Sequence, residues 1–569
     1  MKSRTWSFNL TAFRKDITRF VPLWSVYFAG GMLIMLALAA GNTPHSLAQS
    51  LGHCIGYFSL INMIYGPLCA LLLFGDLFNA KLCNATHAMP LRREHWFFSH
   101  VAAGICFSVV PNAVGVLCLM PVLQQFWYTG FLWLLGMTLH FLFFFGLGVF
   151  CCLCTGSRFA MAAMTTLLNF LVPLLVWFVE VIYIPLLYGV RVDWGFLYLL
   201  CPIVKIVGSG DWFIFDYLKG VEGVDRGHWW VFRGLGDGWW YLAIIAVAGI
   251  GLLAAALWLY RRRKLEYAGD FLAIKKLEPV FALLFTLCVS VVFAGVGALI
   301  FNHLVFLAVG LVIGYFSGQM LLQRTVKVFR PKVFLKFGIL VAVLAISIFL
   351  TKLDVLGITR WVPDPQSVAS VTVSTNWSYS DSDIKVEQPD QLQEIADIHK
   401  GLIAMGEPEK YTVTMPIKLS YRLENGFTFS RFYEIPAQAY KYDTPQEQAL
   451  LESMKKLFSK PENVLGYTGW EQFLSQISFV WVSYGGNHFV VEGQQRQSLL
   501  DAVKKDCEDG TLAQNMLFHD QGMPYEIQIR LGTGVISNRT IYIKVYDDSG
   551  HINNWIAANL NDLKEQENK

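Results

Sequence analysis

The sequence predicts a membrane all-α multi-span helical bundle of about nine spans, followed by a soluble α+β domain. Only 15% of the 569 residues are charged and 54% are hydrophobic, whereas a soluble protein averages about 25% charged residues. Nearly all the long apolar runs fall within residues 21–350. Beyond residue 350 the pattern turns to short alternating segments and amphipathic repeats, which suit a separate domain at 351–569. The net charge of +3 says little by itself, and no nucleic-acid partner is expected.

Residues 1–20 are the first element. In WSFNLTAFRKDITRFVPLW, Trp6, Leu10, Phe13, Ile17 and Phe20 recur at helical spacing, with Arg14, Lys15, Asp16 and Arg19 on the other face. That pattern predicts a helix lying in the cytoplasmic interface rather than a disordered leader. The next run ends in ALAAG at 37–41, which imitates a signal-peptide cleavage site. Its apolar region is too long for a signal peptide, so it is read as a span.

Crossing the hydrocarbon takes about 20 apolar residues. The runs that qualify are 21–41, 54–75, 97–122, 127–152, 160–190, 239–260, 279–300, 303–322 and 333–350. With the N-terminus inside, Lys81, Arg92, Arg93, Arg158, the run RRRK at 261–264, Lys275, Lys276, Arg324, Lys327, Arg330 and Lys332 all face the cytoplasm. The short outer loops 42–53, 123–126 and 301–302 carry no Lys or Arg. The long outer loop 191–238 breaks the rule, as long loops do. It holds Trp194, Trp212, Trp229 and Trp230, with Trp239 and Trp240 just beyond, and reads as short helices or a re-entrant element at the headgroup layer. A substrate-contacting lid is the other reading of that loop.

The cysteines lie in or beside apolar runs, except Cys507, so the C-terminal domain holds no internal disulfide. The cluster CCLC at 151–154 is read as packing rather than as metal ligands, so no metal is expected. In the C-terminal domain SVASVTVSTNWSY reads as a strand, and YTVTMPIKLSYRLENGFTFSRFYEI as a hairpin turned at Glu-Asn-Gly. YEIQIRLGTGVISNRTIYIKVY reads as a second hairpin. QLQEIADIHKGLIA, QALLESMKKLF and NNWIAANLNDLKEQ have helical periodicity. His399, His488, His519 and His551 are scattered, and neither HExxH nor GxSxG occurs. An extracytoplasmic binding module is favoured over an enzyme.

No GxxxxGK[ST] loop occurs, so the chain is not expected to hydrolyse ATP or to bind a cofactor itself. Ser317-Gly318-Gln319 sits in an apolar run and is taken as chance. Glu180, in LLVWFVEVIYIPLL, is the intramembrane candidate, since a carboxylate at membrane depth is costly. His140 and Asn169 are read as packing or interhelical hydrogen bonding.

Between the second and third spans lies the polar stretch LFNAKLCNATHAMPLRREHWF. Within it Asn84, His87, Met89, Pro90, Leu91, Arg92, Arg93 and Glu94 stand before the next span. Pro90 fixes the chain direction, Met89 and Leu91 offer an apolar knob, and Arg92, Arg93 and Glu94 suit ion pairs across an interface. The bland reading is a cationic loop on anionic lipid. A second stretch, YRRRKLEYAGDF, ends the sixth span with Tyr260, Arg261, Arg262, Arg263, Glu266, Ala268 and Gly269. Its basic run suits a stop-transfer anchor, which leaves Glu266, Ala268 and Gly269 unexplained.

Together these stretches resemble permease subunits of ABC transporters of the ABC-2 type. The resemblance covers 1–270, with 271–350 as additional transmembrane helices, and the layout is similar to Gram-positive permeases with an extracytoplasmic C-terminal domain. It implies a short coupling helix in the 79–96 loop docking on a separate ABC ATP-binding subunit, which supplies the ATP. It also implies a permease homodimer or heterodimer in the bacterial cell membrane, in contact with membrane lipids, exporting an amphiphile, lipid or peptide. The rivals are a membrane-anchored extracytoplasmic sensor without transport and a proton-coupled secondary transporter using Glu180.

Overall fold

The computed structural model describes residues 8–40, 43–192, 194–208, 215–219, 230–235, 238–300, 303–374, 384–407, 414–436, 444–458, 474, 477–484, 487–511, 525–531, 539–545 and 550–567. Its contacts divide the chain into two units, Met1–Val181 with Trp194–Ala342, and Ile182–Asp193 with Val343–Lys569.

The first unit starts with helix α1, Leu10–Arg19. The Asn9 side chain caps it by accepting from Ala12 N at 3.0 Å. Phe13 and Ile17 pack onto the core as the spacing predicts, while Trp6 lies outside the described residues. One expectation is corrected: Asp16 is turned inward, only 5% exposed, while Leu10 is exposed. The buried face runs through Ala12, Phe13, Asp16 and Ile17, one position round from the apolar stripe. A carboxylate is tolerated there because His100 Nδ1 lies 2.6 Å from Asp16 Oδ2.

Among the described residues, nine helices are long and apolar enough to cross a membrane. They are α2 (Val21–Ala39), α3 (Pro44–Leu73), α5 (Arg93–Leu123), α6 (Trp127–Cys154), α7 (Arg158–Ile182), α9 (Gly238–Arg262), α10 (Glu278–Ile300), α11 (His303–Gln323) and α12 (Pro331–Lys352). Two boundaries differ from the apolar runs. Helix α3 begins ten residues before Cys54, because Thr43 caps it and Pro44 suits its first turn. Helix α7 stops at Ile182, and a short turn at Ile184–Leu186 containing Pro185 follows.

Helix α6 is central, with Trp133, Phe141, Phe144 and Phe145 fully buried. Its neighbours approach through glycine: a Cβ on Gly146 would stand 2.6 Å from the Gly249 carbonyl oxygen of α9. Such small residues let helix backbones approach closely. By contrast, α2 and α12 bury little of their length. The 191–238 segment contains α8 (Pro202–Gly208) and a hairpin of β2 (Phe215–Lys219) with β3 (Trp230–Leu235). The short helix matches expectation and the hairpin was not foreseen. Trp212 and Trp229 lie outside the described residues.

The second unit contains two antiparallel sheets with separate cores, where one core was expected. The first sheet has the order β1-β7-β6-β4-β5, from β1 (Val190–Arg191), β4 (Val368–Ser374), β5 (Ile384–Val386), β6 (Thr414–Leu423) and β7 (Thr428–Pro436). Helices α13 (Pro389–Met405) and α14 (Pro445–Phe458) cover it, burying Ile395, Leu402 and Met454 against Val371, Ile417 and Ile435. The second sheet, β11-β10-β8-β9, is built from β8 (Ile477–Tyr484), β9 (Asn487–Val490), β10 (Tyr525–Leu531) and β11 (Arg539–Val545). Helices α15 (Gly493–Glu508) and α16 (Gly550–Glu567) bury Leu499, Val503 and Ile556 against Val480 and Ile527.

Strand for strand, the two halves share one plan. Among the described residues each runs ββαββα, and each sheet places its four strands in the order fourth, third, first, second. Strands β6 and β10 begin at 414 and 525, and β7 and β11 at 428 and 539, so the internal spacing is constant between these hairpins. Among the described strands of these two sheets, only β1, from the segment after α7, has no counterpart.

Candidate functional site

The polar stretch between α3 and α5 folds as a short helix, α4 (Ala80–His87). Asn79 caps it, accepting from Lys81 N at 2.9 Å and Leu82 N at 3.4 Å. Thr86 Oγ1 donates to Asp76 Oδ2 at 3.0 Å, holding the helix to the turn before it. His87 Nδ1 donates to the Cys83 carbonyl at 2.8 Å, which leaves Nε2 to accept from Tyr260 OH at 3.3 Å. Burial lowers the His87 pKa, in keeping with a neutral ring.

The outer face of this segment is open. Leu82, Asn84, Ala88, Met89, Pro90 and Arg92 are exposed, Met89 to 44%, while Leu91 is half-buried. Two arginines fasten the segment to the bundle. Arg93 Nη1 donates to the carbonyls of Tyr260 at 2.9 Å, Arg261 at 3.4 Å and Arg263 at 2.7 Å. Those carbonyls belong to the last turn of α9 and the residue after it, where helix geometry leaves carbonyls unpaired and the macrodipole is negative. Arg263 repeats the device. Buried at 8% exposure, it donates to Cys152 O at 2.7 Å and Leu153 O at 3.1 Å in the last turn of α6. Its second nitrogen donates to Leu77 O at 3.2 Å. Burial lowers the pKa of this guanidinium from its ordinary value.

The two motifs are thus brought together. His87, Arg93 and Glu94 meet Tyr260, Arg261 and Arg263, with Arg261 Nη2 2.8 Å from Glu94 Oε1. Arg93 and Glu94 have partners within the chain, and Arg263 is a buried cap. Arg262 stays outside, its guanidinium 4.3 Å from the Trp258 ring centre. Gly269, at φ +101°, donates its N–H to Gly156 O at 2.8 Å, and Ala273 N donates to Cys154 O at 2.8 Å. Ala268 packs on the core and Glu266 is exposed. A side chain on Gly156 would stand 2.2 Å from Tyr267 O, so the turn after α6 needs glycine.

Glu180 does not join this site. It is exposed, two residues before the end of α7. That is 22 residues from Arg158, about 33 Å by helical rise. His140 is fully buried and its Nε2 lies 2.8 Å from Asn62 Nδ2, an interhelical bond. Asn62 Oδ1 accepts from Tyr27 OH at 3.3 Å, and Asn112 Nδ2 donates to Tyr27 OH at 3.2 Å. The sequence singled out Asn169 rather than Asn62 or Asn112, because which asparagine of an apolar run bonds across helices is decided by packing and not by the run itself. Asn169 donates within its own helix, to Thr165 O at 3.1 Å. Cys151, Cys152 and Cys154 are buried, and among the described residues no His/Cys/Asp/Glu group is placed to hold a metal.

In the C-terminal unit His399 is core rather than surface. Its Nε2 lies 2.7 Å from Tyr433 OH and its Nδ1 2.9 Å from Tyr421 OH. A neutral imidazole satisfies both, donating to one hydroxyl and accepting from the other. Burial pushes its pKa down to about 3. Comparison with protein-family models, curated proteins and solved structures finds no match.

Proposed function

We propose that this chain is the membrane-spanning permease subunit of an ABC transporter, worked by a separate ATP-binding subunit. One observation supports this most: an exposed apolar and cationic surface, Leu82, Met89, Pro90 and Arg92, rides on a segment tied to the ends of α5, α6 and α9. A surface meant only to be solvated needs no such frame. A push on α4 is carried to α9 through Arg93 and to α6 through Arg263, so the helices move as packed bodies. In this reading the partner binds and hydrolyses the ATP, and this end of the bundle faces the cytoplasm. Two permease chains, alike or different, meet the paired ATPase. The cargo is an amphiphile, lipid or peptide moved outward, and the tandem C-terminal unit is an extracytoplasmic module that receives or recognises it.

The test is a photo-crosslinking residue at Met89 in the tagged chain, purified from its native membrane. A phosphate-loop ATPase joined at that position is the expected product. A folded, abundant chain that yields no such adduct would overturn the assignment.

A further inference from the structure

Helices α2 and α3 enclose an apolar groove of about 690 Å3. It runs from Pro22 and Leu23 at one end to Ile34 and Phe58 at the other. Twelve residues of α2 separate Pro22 from Ile34, about 18 Å by helical rise. One leaflet of a bilayer core is about 15 Å deep, so the groove matches one leaflet in length. Its base is rigid. Tyr27 and Tyr65 stack at 4.1 Å between ring centres, and Tyr65 OH donates to Phe107 O at 3.0 Å. Gly30 and Gly31 line the groove, and a Cβ added to either would meet nothing within 4 Å.

A cationic face stands at the Pro22 end of the groove. Arg19 precedes Pro22 by three residues, and Arg14, Lys15 and Arg19 are exposed on α1. Asp16, the only acid of that helix, is turned away to His100. The outer face of α1 is therefore cationic.

We propose that this groove holds an acyl chain of one anionic membrane lipid, whose headgroup sits against Arg19. The length match, the open glycine wall and the positive charge at the Pro22 end together select that occupant over an uncharged one. The inference depends on these helices lying in a membrane and not on an ATPase partner, so either can fail alone.

The full-length chain, reconstituted in vesicles of equal parts phosphatidylglycerol and phosphatidylcholine, is extracted and weighed by native mass spectrometry. Retention of one phosphatidylglycerol per chain is expected. Gly31→Trp fills the groove and should abolish retention, and Arg19→Gln should reduce it about five-fold, the worth of one basic residue at a lipid surface. Retention unchanged in Gly31→Trp overturns the proposal. Should that variant fail to fold, Arg19→Gln decides, and undiminished phosphatidylglycerol there overturns it equally. A Val26→Cys chain that forms disulfide dimers in high yield would show a second copy covering the groove, and would also overturn it.

Discussion

Arg93 at the start of α5 caps the end of α9, its Nη1 2.7 Å from the carbonyl oxygen of Arg263. Arg263 in turn caps the end of α6, 2.7 Å from Cys152 O. The result is a relay of two guanidiniums across three helix ends, each satisfying carbonyls that the helix itself leaves unpaired. Among the described residues no acid pairs with Arg263, and its hydrogen-bond partners are carbonyl oxygens. The neighbouring ion pair of Arg261 with Glu94 is partly exposed, and such pairs contribute at most about 1 kcal/mol.

That contrast makes the first prediction. Arg93→Ala removes charged hydrogen bonds and should lower the stability of the purified chain by about 2–3 kcal/mol. Glu94→Gln should change it by less than about 1 kcal/mol. Arg93→Lys keeps the charge without the planar fork and should fall between them. Thermal melts of the three variants check the order, and equal melts for Arg93→Ala and Glu94→Gln would remove the relay.

The outward face of the same segment makes the second. Met89→Asp and Arg92→Glu alter side chains that point away from the bundle. Both should abolish copurification of an ATPase while leaving the melting temperature unchanged. A variant that still brings down the ATPase in wild-type amounts would place the docking surface elsewhere.

How much of this was legible beforehand depends on the kind of signal. The nine apolar helices announce themselves by length and hydropathy, and the β6–β7 hairpin by its Asn-Gly turn. Arg263 does not: in RRRK it looks like its neighbours, and only the packing of α6 beside α9 decides which arginine is buried. Asp16 was misplaced for a similar reason, since its burial depends on His100, 84 residues away. The tandem plan of the C-terminal unit was hidden because its halves share strand order rather than residues. His399 in α13, for instance, faces two tyrosines, while the second half buries Asp506 and Cys507 in the matching helix α15.

The Asp16–His100 pair makes a third prediction. Removing one member leaves the other's buried polar group without its partner, which typically costs about 1–3 kcal/mol. Asp16→Asn or His100→Leu should therefore loosen α1, raising hydrogen exchange across residues 10–19. The double change Asp16→Leu with His100→Leu leaves no charge stranded and should restore most of the protection. Exchange in the double variant as fast as in the single ones would show that the pair does not hold α1.

The last prediction concerns pH in the C-terminal unit. His399 is neutral in the fold, its pKa held down at about 3 by burial, against about 6.5 in an unfolded chain. Between those values the unfolded state binds the extra proton, so stability rises with pH and falls as acid is added. Its contribution is complete above about pH 6.5 and is lost progressively toward pH 3. Going from pH 7 to pH 5 should cost this unit about 2 kcal/mol from this residue alone. Two tyrosine hydroxyls surround the ring, so His399→Gln keeps a donor and an acceptor but cannot titrate. Unfolding of the C-terminal unit followed at both pH values should show a smaller acid loss in His399→Gln than in the wild type. An equal loss in both would assign the acid sensitivity to other groups and leave His399 charged or solvated at pH 5.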